Sequence, residues 1–287
     1  MITALSRPFA QGVVTGGLNM NNGDTQNSGQ ISGRTVVCMA GSGRSGTSLV
    51  ASFLHRSGIV MGDDMRGPTD SNRLGYFEDM EFLDFHKEVL ARCGVDRYTP
   101  WLALDIDAKD FERGHALLSQ RNSEYACWGW KDPRATMFMD FWVKIYPGIK
   151  FLVMYRHPDE VMTSMYREQR RRIRYRHPTY APRTWIVNNL QALDFSLRHP
   201  GSVAFLDLRA IKEQPAQVVH ALSKWLSYPL SVDVWKEVYK PSELRAGKRS
   251  VFREPVIERL VRFAESCYGT EMRQVYKLLS AASLIQR

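Results

Sequence analysis

Cysteine is scarce in this chain: four in 287 residues, at positions 38, 93, 127 and 267. None belongs to a Cys-x-x-Cys pair or a Cys/His cluster, which argues against a zinc site and a disulfide framework. Cys38 and Cys127 lie in apolar runs and read as buried thiols, which suits a reducing compartment. No run of about 18 apolar residues occurs, so a membrane-spanning helix is not expected. The opening residues lack the basic start and unbroken apolar segment of a secretory signal, and the expected location is the cytoplasm. Acidic residues are in deficit: 30 Asp and Glu stand against 39 Lys and Arg, a formal charge of +9. A basic balance favours anionic partners such as phosphate, sulfate, nucleic acid or an anionic glycan.

Residues 1–33 lack what the rest has. The stretch Gly16–Gly33 is rich in Gly, Asn, Ser and Gln and shows no apolar period, the composition of a disordered tail. From Arg34 the pattern becomes that of a single folded domain, 34–287. Apolar, β-branched runs predict strands at Thr35–Ala40, Ala126–Lys131, Lys150–Arg156 and Ser202–Leu208. Helical periods lie between and beside them, at Gly46–Arg56, Thr136–Ile145, Pro158–Arg172 and Pro182–Leu197. Four more follow, at Pro215–Leu226, Val232–Tyr239, Pro255–Cys267 and Thr270–Ala281. Strands alternating with helices imply parallel strands and right-handed crossovers. The expected fold is α/β: a three-layer α/β/α arrangement of the P-loop type, with a central parallel sheet and a largely helical C-terminal part.

The segment Gly41-Ser-Gly-Arg-Ser-Gly-Thr-Ser48 follows the first strand and opens the first helix. Glycines let backbone N–H groups turn inward, and a helix N-terminus adds positive potential, so the segment reads as a phosphate cradle. Gly41, Gly46 and Ser48 fit the pattern G-x-x-x-x-G-K-[ST], but Thr47 holds the lysine place and the cation is Arg44. An NTPase needs that lysine on its β/γ-phosphates, so a P-loop kinase or NTPase stays only as an alternative. The string Arg44-Ser-Gly-Thr-Ser48 resembles the 5′-phosphosulfate loop of sulfotransferases that use 3′-phosphoadenosine 5′-phosphosulfate (PAPS).

A second string agrees. Arg156 closes the third strand, at the end where open α/β sheets bind ligands, and Pro158 suits the first turn of a helix. Ser164 lies eight residues on, about two helical turns, so an arginine and a hydroxyl are placed to reach one phosphate. This resembles the family's 3′-phosphate site, R-x-P followed by a serine at that spacing. Gly75-Tyr-Phe-Glu-Asp79 and Trp128-Gly-Trp-Lys-Asp-Pro-Arg134 are similar to two further motifs of the bacterial-type branch. The four motifs stand in the family's order, and the resemblance spans about residues 34–281.

The resemblance implies PAPS as co-substrate, without a metal. It places Gly43, Arg44, Ser45, Gly46, Thr47 and Ser48 on the 5′ side of PAPS, and Arg156 and Ser164 on the 3′-phosphate. During sulfuryl transfer, negative charge grows on the bridging oxygen of the leaving 5′-phosphate, and a cation aimed there lowers the barrier most. Arg44 is the candidate. An acceptor hydroxyl must lose its proton to a base within reach. Glu78 is the first choice, with Asp79 and His86 as alternatives; Glu78 and Asp79 also read as the acidic start of the next helix. Lys131 ends a strand and reads as a ligand for sulfuryl oxygens or an anionic acceptor, or, with Asp132 and Arg134, as a structural ion pair. Trp128 and Trp130 read as core. Trp185 reads as an adenine stacker or a core residue. Arg245, in the basic loop Pro241–Arg249, is a further candidate for the 3′-phosphate.

Met165–His177 holds six arginines, at 167, 170, 171, 172, 174 and 176, a charge of +5 once Glu168 is counted. It reads as a solvated helix end, as a flap for an acidic acceptor, or as a nucleic-acid-binding run. No nucleic-acid motif accompanies it, so a non-catalytic nucleic-acid-binding protein is the weaker alternative. The expected activity is transfer of a sulfuryl group from PAPS to a hydroxyl, less readily an amine, of a glycan, lipid or small metabolite. Segments 83–123 and 170–182 are expected to shape the acceptor pocket, with Tyr98, Trp101 and Phe111 either lining it or packing.

Overall fold

All six residues of β1 (Thr35–Ala40) are buried, and a strand with no exposed face belongs inside a parallel sheet. The computed structural model, which describes residues 34–65, 75–95, 104–168, 177–240 and 255–285, places it there. With β2 (Cys127–Lys131), β3 (Lys150–Tyr155) and β4 (Val203–Asp207) it forms a parallel sheet in the order β2-β1-β3-β4. Register runs from Thr35 opposite Cys127 to Met39 opposite Lys131, and from Val37 opposite Lys150 to Ala40 opposite Val153. On the other side of β3, Phe151 faces Val203 and Tyr155 faces Asp207. All four strands therefore end along one edge. The order reverses at β1, so the crevice between β1 and β3 is the topological switch point, where such sheets take ligands.

The helices follow in chain order: α1 (Thr47–Arg56), α2 (Met80–Arg92), α3 (Ala108–Glu124), α4 (Met139–Ile145) and α5 (Pro158–Glu168), then α6 (Tyr180–Arg198), α7 (Leu208–Glu213), α8 (Pro215–Leu226), α9 (Val232–Val238) and α10 (Pro255–Ala281). Alternation along the strands sends side chains to two cores. Val36, Cys38 and Ala40 join Trp128, Trp130, Phe151 and Val153 under α2, α4, α5, α6 and α10. Val37 and Met39 join Leu152, Met154 and Leu206 under α1, α8 and α9. The three-layer arrangement expected from the alternation is the one observed, and Trp128 and Trp130 pack in the core. Phe82 stacks on Trp130 with ring centres 4.4 Å apart, and Trp142 meets Trp130 edge-on.

Three differences from the sequence reading have physical reasons. First, α10 runs unbroken through Gly269, where two helices were expected. A helical glycine costs about 1 kcal/mol relative to alanine, and the buried stripe of Ile257, Ala264, Met272, Val275 and Leu279 outweighs that. Second, α3 had no apolar signature, because its buried residues include Asp110, Arg121 and Asn122. Its start is fixed instead by a reciprocal capping box between Asp107 and Asp110. Third, Cys127 is only partly buried, since it begins an edge strand, whereas Cys38 is buried and burial pushes its thiol well up.

No described helix is long and apolar enough to cross a membrane. Residues 1–33, Tyr98, Trp101, Arg245 and the arginines at 170, 171, 172, 174 and 176 lie outside the described residues.

Candidate active site

β1 runs straight into the Gly41–Gly46 loop at the ligand-binding edge of the sheet. Gly41 has φ 122°, and a Cβ there would lie 2.3 Å from the carbonyl oxygen of Met154 on β3. Both backbone angle and close contact therefore demand glycine. Gly46, at φ 90°, precedes α1, and a Cβ would strike the Leu208 side chain at 2.5 Å. No side chain caps α1, so its N-terminal backbone donors are left to the loop or a ligand. The hydroxyl oxygens of Ser42 and Ser45 are buried without a hydrogen-bond partner. Such orphans are costly, about 1–3 kcal/mol each, and a many-oxygened anion is what this cradle fits.

Arg44 sits in the loop at φ 70°, in the left-handed region that non-glycine residues rarely occupy. Its Nε donates to Ser164 Oγ on α5 at 3.0 Å. Its Nη1 lies 3.9 Å from the Glu168 carboxylate. The two sequence motifs, 120 residues apart, thus meet at the switch point between β1 and β3. Arg156 leaves the end of β3 and donates from Nε to Glu160, one turn along α5. Glu160 also lies 3.8 Å from Arg209. Burial pushes the Glu160 carboxyl up, but the Arg156 bond and the charges of Arg156, Arg209 and Lys212 hold it below the usual range. Of the pair expected at one phosphate, Ser164 bonds to Arg44 and Arg156 to Glu160.

Beside Arg156 a cavity of about 520 Å³ opens between the ends of β3 and β4 and the last turns of α10. Tyr155, Asp207, Arg209, Tyr276, Ser280, Ala281 and Ile285 line it. Tyr276 Oη donates to Asp207 at 3.0 Å. Burial, together with the Asp207 charge, pushes the Tyr276 hydroxyl up to about 12.

On the other flank, Ser48 Oγ donates to the Tyr76 carbonyl at 3.4 Å, tying the cradle to the segment 75–79. Two residues on, Glu78 accepts from Lys131 Nζ at 2.8 Å. Both are buried, at 5% and 3% exposure, and two charges withdrawn from water offset one another. Lys131 ends β2 beside Met39, and Asp132 N–H donates to the Met39 carbonyl at 3.1 Å, just before Gly41.

Asp79 is occupied with structure. It caps α2 and accepts from the buried Arg121 at 3.2 Å, and Arg121 also holds Asp63 and Glu81. His86 is fully buried between Asp132 and Trp142. An indole N–H only donates, so His86 Nε2 accepts from Trp142 at 2.9 Å and Nδ1–H donates to Asp132 at 2.8 Å. Neither ring nitrogen is left to take a proton from an acceptor. Burial pushes Asp132 up, but the His86 hydrogen bond and the neighbouring Arg134 bring it below the usual carboxylate range. Trp185 is fully buried in the core, so the structure offers none of its ring to a nucleotide base. Among the residues the motifs did not single out, Ser42 lies between the loop glycines and was legible there. Glu160 and Glu168 were legible from their four-residue spacing about Ser164, whereas Arg121 carries no signal.

Comparison with known proteins gives the same frame. The profile of the sulfotransferase family matches residues 37–231, well over half of the chain. No curated protein sequence matches. Among solved structures, the sulfotransferase domain from the curacin biosynthetic pathway superposes with a TM-score of 0.51 at 16% identity, covering 86% of this chain and 98% of that one. A sulfotransferase from Alicyclobacillus acidocaldarius gives 0.49 at 14% identity, covering 85% and 96%. Sulfotransferase STF9 from Mycobacterium avium gives 0.49 at 13%, covering 83% and 77%. The first of these shows a shared fold. With the family profile spanning the glycine-rich loop, the Glu78–Lys131 pair and the Arg44–Ser164 contact, this chain belongs to the sulfotransferase family.

Proposed function

We propose that the enzyme moves a sulfuryl group from PAPS to a hydroxyl of its acceptor. The observation that supports this is the bond from Arg44 to Ser164, which brings two distant motifs side by side. In this reading the cradle, with the unpartnered hydroxyls of Ser42 and Ser45, takes the 5′ end of the donor. Gly43, Gly46, Thr47 and Ser48 complete that cradle, and Arg156 with Ser164 takes the 3′-phosphate. The cavity beside Arg156 gives room for the adenosine, the role that the buried Trp185 cannot fill.

The step is an in-line displacement. A bond forms between the acceptor oxygen and sulfur, the bond from sulfur to the bridging 5′-phosphate oxygen breaks, and the acceptor proton passes to Glu78. Arg44 offsets the charge that grows on the leaving phosphate. Lys131 has three donors and gives one to Glu78, which leaves the others for sulfuryl oxygens. A sulfuryl group carries less charge than a phosphoryl group, so the chemistry asks for no metal. The acceptor class is a hydroxyl-bearing glycan, lipid or small metabolite, and the +5 run of Met165–His177 favours one with acidic groups.

Calorimetric titration with the desulfated product, 3′-phosphoadenosine 5′-phosphate, tests this reading, with ATP and Mg²⁺ as control. Binding of the bisphosphate is expected, weakened about 10–100-fold in Arg156→Ala, the loss of one charge-assisted hydrogen bond. Ser280→Trp, which fills the cavity, is expected to weaken it too. Preference for ATP with Mg²⁺ would overturn the proposal.

A further inference from the structure

Helix α5 presents a repeated face to the site. Glu160, Ser164 and Glu168 follow one another every four residues, which stacks them on one side of the helix. Each of the three touches a cation of the proposed donor site. Glu160 holds Arg156, Ser164 holds Arg44 Nε, and Glu168 lies 3.9 Å from Arg44 Nη1. The two carboxylates differ in setting. Glu160 is shared between Arg156 and Arg209 and is hydrogen-bonded, so it orients Arg156. Glu168 makes a longer, solvent-facing approach, with its side chain 43% exposed.

We infer that Glu168 is the resident counter-ion of Arg44, displaced when the donor's phosphate arrives and restored when the product leaves. This rests on the donor reading above. The physical argument is one of competition. The Arg44 guanidinium has a fixed set of donors; Nε is engaged by Ser164, and Nη1 faces Glu168. A phosphate that takes the Nη groups must push the carboxylate aside, and it then sits near a like charge. Donor and product are both weakened, and product release is hastened, because affinity differences of this kind fall mainly on the dissociation rate. Glu168 thus limits how tightly the site retains nucleotide without taking part in the chemistry.

The test is Glu168→Gln, with Asp159→Asn as a charge-matched control on the same helix one position off the stripe. 3′-Phosphoadenosine 5′-phosphate is titrated into wild type and both variants at low salt, and its dissociation rate is followed by stopped flow. Glu168→Gln is expected to bind ~2–5-fold more tightly and release correspondingly slowly, the scale of an exposed ion pair. The difference should shrink at 0.5 M salt, and Asp159→Asn should match wild type. Glu168 is exposed, so the variant is expected to melt with wild type. Wild-type binding with no tightening in Glu168→Gln, or equal tightening in Asp159→Asn, overturns this inference alone. No binding by wild type overturns the donor reading and this inference with it.

Discussion

The buried pair of Lys131 and Glu78 offers the sharpest energetic test. Lys131→Met keeps the side chain's length and removes its charge. It takes the Lys131 bond from Glu78, which is 5% exposed, and sets an apolar thioether beside it. Removing one partner of a buried ion pair costs about 3–5 kcal/mol, because the remaining charge is still shielded from water and has lost the cation it bonded. In a domain of this size each kcal/mol shifts the melting midpoint by about 2–4 °C, so a fall of roughly 6–20 °C is expected. Glu78→Leu alone should cost a similar amount. The double variant Lys131→Met with Glu78→Leu leaves no charge behind and should recover most of the loss. Urea unfolding followed by tryptophan fluorescence measures all four proteins, with an unchanged slope as the sign of comparable native states. All three variants should lose sulfuryl transfer. Two results would refute the reasoning: a cost below 1 kcal/mol for Lys131→Met, or a double variant whose loss is the sum of the singles.

Arg44→Ala should lower turnover by about 10²–10³-fold, the scale of one donor aimed at developing charge; steady-state kinetics with near-normal turnover would remove Arg44 from the transition state. Acid should destabilise the fold through Asp132, Asp140 and Glu160, whose carboxyls all titrate below their ordinary values. A depressed carboxyl contributes stability that is complete above its unfolded value, about 4, and is lost as pH falls through the lower folded value. Unfolding free energies measured from pH 6 to 2 should therefore decline below about pH 4. His86→Phe, which removes the hydrogen bond to Asp132, should flatten that decline; an unchanged slope would show that the bond does not hold the carboxyl down.

Much of the frame was legible because parallel strands buried on both faces leave an unbroken apolar run. Phe151-Leu-Val-Met-Tyr155 could hardly be anything else, and each predicted strand falls within a residue or so of the observed one. The glycine-rich loop was legible for a related reason: Gly41 and Gly46 stand where a side chain is strained, so the sequence must declare them. The partners of the site were another matter. Nothing in the local pattern says that Ser164 bonds to Arg44 rather than Arg156, since that depends on how α5 packs across β3. Asp79 and His86 stood as alternatives to Glu78 for taking a proton. Only three-dimensional neighbours reveal that Arg121 holds one, while Asp132 and Trp142 occupy the other. Helix α3 was silent because its buried face is polar, and hydropathy records apolar stripes alone. Trp185 was left open between a ligand platform and a core residue, and its burial sets it in the core.

The two buried, unpartnered hydroxyls of the cradle, Ser42 and Ser45, bear on the lifetime of the protein as well as its chemistry. A ligand that satisfies them binds only the folded chain, so it adds RT ln(1 + [L]/Kd) to stability, about 2.7 kcal/mol at a hundredfold excess over Kd. The nucleotide-free protein is then the species most exposed to opening and proteolysis. On the proposed donor reading, the supply of donor would then bear on how long the folded enzyme persists.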